Sequence, residues 1–150
     1  MEQRSTRQRT AIRRAFEGAG RPLNAQEVLE AARQYAPTLG IATVYRALRG
    51  LTEEGELTMV ELPGEPPRYE PASLAHHHHF SCRTCGRLFE LTHCIGDFAR
   101  LTPPGFVAED HELVLYGRCE SCAGPSRARP KERPRADEHV TTPRRTGHRH

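Results

Sequence analysis

Ala42-Thr43-Val44-Tyr45-Arg46-Ala47-Leu48-Arg49-Gly50-Leu51-Thr52-Glu53-Glu54 reads as one amphipathic helix, and its flanks decide the fold. Val44, Leu48 and Leu51 fall at i, i+4 and i+7 and share a face, while Thr43, Arg46 and Arg49 point elsewhere with Tyr45 alongside. Gly55 suits the C-terminal cap. Upstream, Asn24-Ala25-Gln26-Glu27 has the spacing of a capping box. It opens a second helix whose buried side is Val28, Leu29, Ala32 and Tyr35, stopped by Pro37. Before that, residues 5–18 form a first helix with Ser5 or Thr6 as cap and Ala11, Ile12, Ala15 and Phe16 as its apolar stripe. Gly18, Gly20 and Pro22 end it. Downstream, two strand-like runs, 56–62 and 68–70, flank a turn at Pro63-Gly64-Glu65-Pro66-Pro67. Three helices followed by a hairpin is the pattern of a winged helix-turn-helix.

After Pro71 the character changes. Strands are predicted over 76–81, 87–91 and 112–117, with a short helix over 95–101 broken by Pro103-Pro104-Gly105. From Gly124 the chain is rich in Pro, Arg and Ser with almost no large apolar residue, which predicts disorder. The fold class is therefore α+β. An N-terminal winged helix-turn-helix over residues 1–66 is followed by a small α/β domain over 67–123 with a four-cysteine zinc site, and by a basic tail over 124–150. Apolar residues are 36% of the 150, with no Trp. Such a core is modest, and small domains of this kind often need a metal staple.

The net charge of +3 is unevenly placed. From Arg127 onward there are eight Lys/Arg against three acids, leaving 22 − 8 = 14 against 19 − 3 = 16 in the rest. The basic pI is thus a property of the tail. The N-terminus is the exception, where Arg4, Arg7, Arg9, Arg13 and Arg14 face only Glu2. No apolar run is long enough to span a membrane and none resembles a signal peptide, so a cytoplasmic location is expected. In a reducing compartment C-x-x-C pairs are metal ligands or redox couples more often than disulfides.

Cys82-Arg83-Thr84-Cys85 and Cys119-Glu120-Ser121-Cys122 can close a tetrahedral all-sulfur shell, the geometry Zn2+ prefers in a structural site. His76-His77-His78-His79 lies three residues before the first pair. Side chains alternate faces along a strand, so His76 and His78 belong to one site and His77 and His79 to another. Cys94, the odd cysteine, reads as a small, partly buried hydrophobe, with redox sensing as its alternative.

Taken together, Leu39-Gly40-Ile41-Ala42-Thr43-Val44-Tyr45-Arg46-Ala47-Leu48, the run His76 to His79, Cys82-x-x-Cys85-Gly86, His111 and Tyr116-Gly117-x-Cys119-x-x-Cys122 resemble the Fur family, the metal-dependent bacterial repressors that include iron, zinc, manganese, nickel and peroxide sensors. The resemblance covers roughly residues 5–123. It implies a homodimer that binds a palindromic operator in double-stranded DNA, with the second domain serving dimerisation. It also implies a regulatory site of Glu70, His77, His79 and Glu90, whose thiol-free shell suits Fe2+ or Mn2+ at least as well as Zn2+. Zinc sensing and peroxide sensing are the alternatives. A further site of His76, His78, Asp97 and His111 is implied, its third histidine pushing it towards zinc. Arg9, Tyr45 and Arg46 are implied to meet DNA, and Arg49 suits a phosphate.

The chain departs from the family at Arg21-Pro22-Leu23, where iron and peroxide sensors usually place a histidine. It departs again at Pro71-Ala72-Ser73, where zinc sensors often place a cysteine. No enzyme activity and no small organic substrate are expected. A catalytic zinc needs an open position and a general base, and nothing resembles H-E-x-x-H. Metal buffering, through the His run and the terminal His148-Arg149-His150, is the remaining competitor.

Overall fold

The computed structural model describes residues 2–125; the expectation of a disordered basic tail over 124–150 falls almost entirely outside them. The chain runs through α1 (Glu2–Ala19), β1 (Leu23–Asn24), α2 (Ala25–Ala32), α3 (Ile41–Glu53), β2 (Leu57–Val60), β3 (Arg68–Pro71), β4 (His78–Cys82), β5 (Leu88–Leu91), a 3-10 turn (Phe98–Leu101), β6 (Val114–Gly117) and α4 (Glu120–Ala123). The first three helices follow from the sequence periodicity. Asn24 caps α2 by accepting the Glu27 backbone N–H, and the Glu27 carboxylate accepts the Asn24 N–H in return. The two-residue β1 and the short α4 were not expected.

The stripes of α1, α2 and α3 meet in one core. Ile12, Val28, Val44 and Leu48 are fully shielded there, with Phe16, Leu29, Leu39, Leu51, Leu57 and Tyr69 around them. Burial of each large aliphatic contributes about 1.5–3 kcal/mol before chain entropy is charged against it. The wing is an antiparallel sheet of order β1-β3-β2, with Leu57 opposite Pro71 and Val60 opposite Arg68. Because β3 pairs along its whole length with β2, the winged unit runs to Pro71. The boundary expected at 66/67 would cut that hairpin at its turn.

The second sheet has the order β5-β4-β6, antiparallel on one side and parallel on the other. Gly117 packs closely there: a Cβ on it would sit 3.1 Å from the Phe80 ring, which would have to shift by a few tenths of an ångström. Beyond Pro71, Cys82 and Leu88 are the only buried hydrophobic residues among those described. Ile95, Leu101, Phe106 and Val107 in the long connection from β5 to β6 are 69–85% exposed, and Leu115 and Tyr116 on β6 are about half exposed. This half of the chain cannot hold itself together through apolar burial alone.

Two polar ties join the halves. Arg68, buried in β3, donates to the Glu65 carboxylate and to the Gly86 carbonyl. Glu65 also accepts the Ser81 hydroxyl from β4 at 3.3 Å.

Candidate metal centres and the exposed helix face

Three groups of metal-ligating side chains form among the described residues, each with its donor atoms within 4.8 Å of one another. The first is Cys82, Cys85, Cys119 and Cys122. The turn after β4 brings Cys85 back over Cys82, closed by the Gly86 N–H donating to the Cys82 carbonyl at 2.9 Å. Gly86 has φ of 73°, a left-handed conformation that suits glycine. Gly117 ends β6 beside Cys82 and delivers Cys119 and Cys122 to the same point. Cys82 Sγ accepts backbone N–H groups from Cys85 at 3.5 Å and Cys119 at 3.3 Å. Those donors pull its thiol down to about 6. The side-chain hydrogen bond with Cys119 pushes Cys122 up to about 12. Four thiols crowded together cannot all ionise without a cation to share. The Cys85–Cys119 sulfur separation is 3.8 Å, and a tetrahedron with Zn–S bonds of about 2.3 Å has an edge of about 3.8 Å. The donor set fits zinc.

The second group is Glu70, His77 and His79. Glu70 comes from the wing strand β3 and is buried; His79 is on β4 and His77 just precedes it. Glu70 Oε1 is 3.0 Å from His77 Nε2, Oε2 is 3.0 Å from His79 Nε2, and the two imidazole nitrogens are 3.2 Å apart. His77 Nδ1 donates to the Ala75 carbonyl at 2.7 Å, which fixes the ring and aims Nε2 at the carboxylate. Burial acts to raise the Glu70 carboxyl, but the hydrogen bonds from His79 and His77 outweigh it and hold it low. Burial likewise acts against the His77 cation, yet the Ala75 carbonyl and Glu70 together raise its pKa. The cluster is thus suited to positive charge, and its donor atoms lie close enough together to ligate a metal ion. Glu90 stands opposite His79 across the β4–β5 ladder and its charge reaches His77. Its carboxylate is outside the converging donors, so the four-residue set expected from the sequence assembles as three.

The third group is His76, His78, His111 and Cys94. Asp97, expected here, is elsewhere. It accepts the Ala99 N–H at 2.7 Å as the cap of the 3-10 turn. The division of the histidine run between two faces holds, although β4 starts only at His78, because extended backbone alternates whether or not it is paired. Cys94, read as a partly buried hydrophobe, is exposed. The signal that marks it is its place as the unpaired member of five cysteines, beside a histidine in a segment already rich in ligands.

On α3, Tyr45 is 55% exposed. Arg46 reaches Thr43 at 3.3 Å and Arg49 pairs with Glu53 at 3.1 Å. Arg9 on α1 lines a shallow depression with Arg46, Thr43 and Gly50. Its guanidinium is paired with Glu54 at 2.6 Å, and Arg13 is likewise held by Glu56 at 2.9 Å. Part of the N-terminal positive charge is therefore neutralised within the fold, leaving Tyr45 and Arg46 exposed on α3 beside Arg49, which is exposed but paired with Glu53.

Residues 1–116 match the ferric uptake regulator family. Transcriptional regulator FurA of Mycobacterium tuberculosis is 30% identical over 123 residues, covering 80% of this chain and 83% of that protein. The zinc uptake regulation protein of the same organism is 33% identical over 122 residues, covering 79% and 94%. Among solved structures, the ferric uptake regulator from Francisella tularensis with iron aligns with a TM-score of 0.60 at 29% identity, over 77% of this chain and 90% of that one. The matched span takes in the winged unit and most of the metal-bearing sheet, and on it this chain belongs to the ferric uptake regulator family.

Proposed function

We propose that this chain is a homodimeric, metal-responsive repressor that reads a palindromic operator through α3 and senses Fe2+ or Mn2+ at Glu70, His77 and His79. One observation carries the reading: a buried carboxylate from the wing and two imidazoles from the second sheet converge at the joint between the halves. A cation bound there favours the arrangement in which all three ligands meet. It shifts the population towards that arrangement only by the difference in its affinity for the two states. Nitrogen and oxygen donors with no thiolate favour iron or manganese, and three protein ligands leave room for water in a larger shell. Relatives named for iron and for zinc match at about equal identity, so donor chemistry is the stronger guide to the metal. The four cysteines are assigned to a structural Zn2+. The exposed apolar side chains beyond β5 are the surface a second copy would cover, and the repressor role places the chain in the cytoplasm.

The test uses duplexes selected from a random pool in the presence of Mn2+. Fluorescence anisotropy is expected to show binding about 10- to 100-fold tighter with Mn2+ than with a chelator too weak to strip the four-cysteine site. Equal affinity in the two conditions sinks the reading. Arg46→Ala should weaken binding by about 1–3 kcal/mol if Arg46 reads a base. If it grips a phosphate, the same variant instead lowers the salt slope by about one.

A further inference from the structure

His111 Nε2 lies 3.3 Å from His76 Nε2, 3.2 Å from His78 Nε2 and 3.2 Å from Cys94 Sγ. A ring nitrogen carries either one N–H or one lone pair, so it cannot serve three hydrogen-bond partners at once. A tetrahedral cation at about 2.0–2.1 Å from each nitrogen gives N–N edges of about 3.3–3.4 Å, close to those observed. We propose that His76, His78, His111 and Cys94 form a zinc site of three imidazoles and one thiolate, with Cys94 in the place that the family resemblance gives to Asp97. It selects zinc, while the Glu70, His77 and His79 face of the same segment takes a harder ion.

Three features carry this beyond a count of ligands. Asp97 accepts the Ala99 N–H as a cap and its carboxylate is not among the donors that converge, whereas Cys94 Sγ is. Thiolate is the softest donor available to a protein, and adding one to three imidazoles moves the preference from iron and manganese to zinc. The site also has structural work to do. His76 and His78 lead into β4, His111 precedes β6, and Cys94 sits on the long connection that otherwise holds only a 3-10 turn. A bound ion pins that connection to the sheet at both ends, with the Phe98 ring packed against His111 at a centroid distance of 4.3 Å. The inference needs neither DNA binding nor the Glu70 cluster.

The test loads the full chain with one zinc, held by the four cysteines, and then titrates Co2+ as a spectroscopic probe. Mass spectrometry checks that this zinc stays in place. Wild type and Asp97→Asn are expected to develop a sulfur-to-cobalt charge-transfer band with tetrahedral d–d absorption. Cys94→Ala is expected to lose the charge-transfer band. The Glu70 cluster has no sulfur and cannot produce that band, so failure there and failure here are distinguishable. A wild-type spectrum without the band, or its loss in Asp97→Asn, overturns the assignment. A second measurement needs no variant: zinc should slow iodoacetamide labelling of the exposed Cys94 at least about tenfold, and Mn2+ should not. Labelling unaffected by zinc overturns the site, and equal protection by Mn2+ overturns its selectivity.

Discussion

Cys82→Ser is expected to unfold the C-terminal half of the chain while leaving α1, α2 and α3 folded. Cys82 is 1% exposed and accepts two backbone N–H groups that hold the turn and the start of α4 in place. Serine can keep weak versions of those bonds but is not a competent zinc ligand. The half of the chain that depends on this ion buries only Cys82 and Leu88 as hydrophobic residues among those described. A structural zinc contributes about 10–16 kcal/mol in small domains, whereas a whole domain is stable by about 5–15 kcal/mol. Loss of the ion therefore exceeds what the remaining contacts of this sheet can offset. Three readouts check it together: zinc retained after dialysis, the β contribution to circular dichroism, and elution volume on size exclusion. The variant should lose one zinc and its strand signal and elute as an expanded monomer. Full zinc retention with an unchanged melting curve would contradict the structural role of the four cysteines.

His77→Ala addresses the switch. Its ring is held by Ala75 on one side and faces Glu70 and His79 on the other, so truncation removes one of three ligands and the group that fixes their geometry. Operator affinity in Mn2+ is expected to fall to the chelator-treated level, a loss of about 10- to 100-fold. Affinity without metal and the zinc content of the four-cysteine site should stay at wild-type values, since His77 touches the wing only through Glu70 and is not among the four cysteine ligands. Preserved metal activation in this variant would place the sensing site elsewhere. Loss of binding with and without metal would point to damage in the winged unit instead.

The fold was legible because its first half is written in local signals. The stripes of α1 and α3 and the Asn24–Glu27 box each act over one or two helical turns, and the structure places their apolar residues in a single core. The histidine division was legible for the same kind of reason, since alternation is a property of extended backbone. The contents of the third cluster were not. Asp97 and Cys94 lie three residues apart on an irregular connection, where no period says which side chain turns inward. A short carboxylate in such a loop is drawn to its own backbone, as Asp97 is. Arg9 shows a second limit. It lies among arginines in sequence, but its partner Glu54 is 45 residues away, and no local pattern announces that pairing. The expected boundary at 66/67 falls in the turn of a hairpin that the sequence already announced, and the pairing of β2 with β3 places both strands on the winged side.

Arg68 gives the joint its mechanical character. Its backbone belongs to the wing, yet one arm of its guanidinium ends on a carbonyl of the cysteine knuckle and the other on a carboxylate that also holds Ser81. A guanidinium cannot shed its charge, so sliding the wing past the knuckle strands that charge until water or a new acceptor reaches it. Moving the wing away from the knuckle therefore carries an energetic cost that these contacts impose.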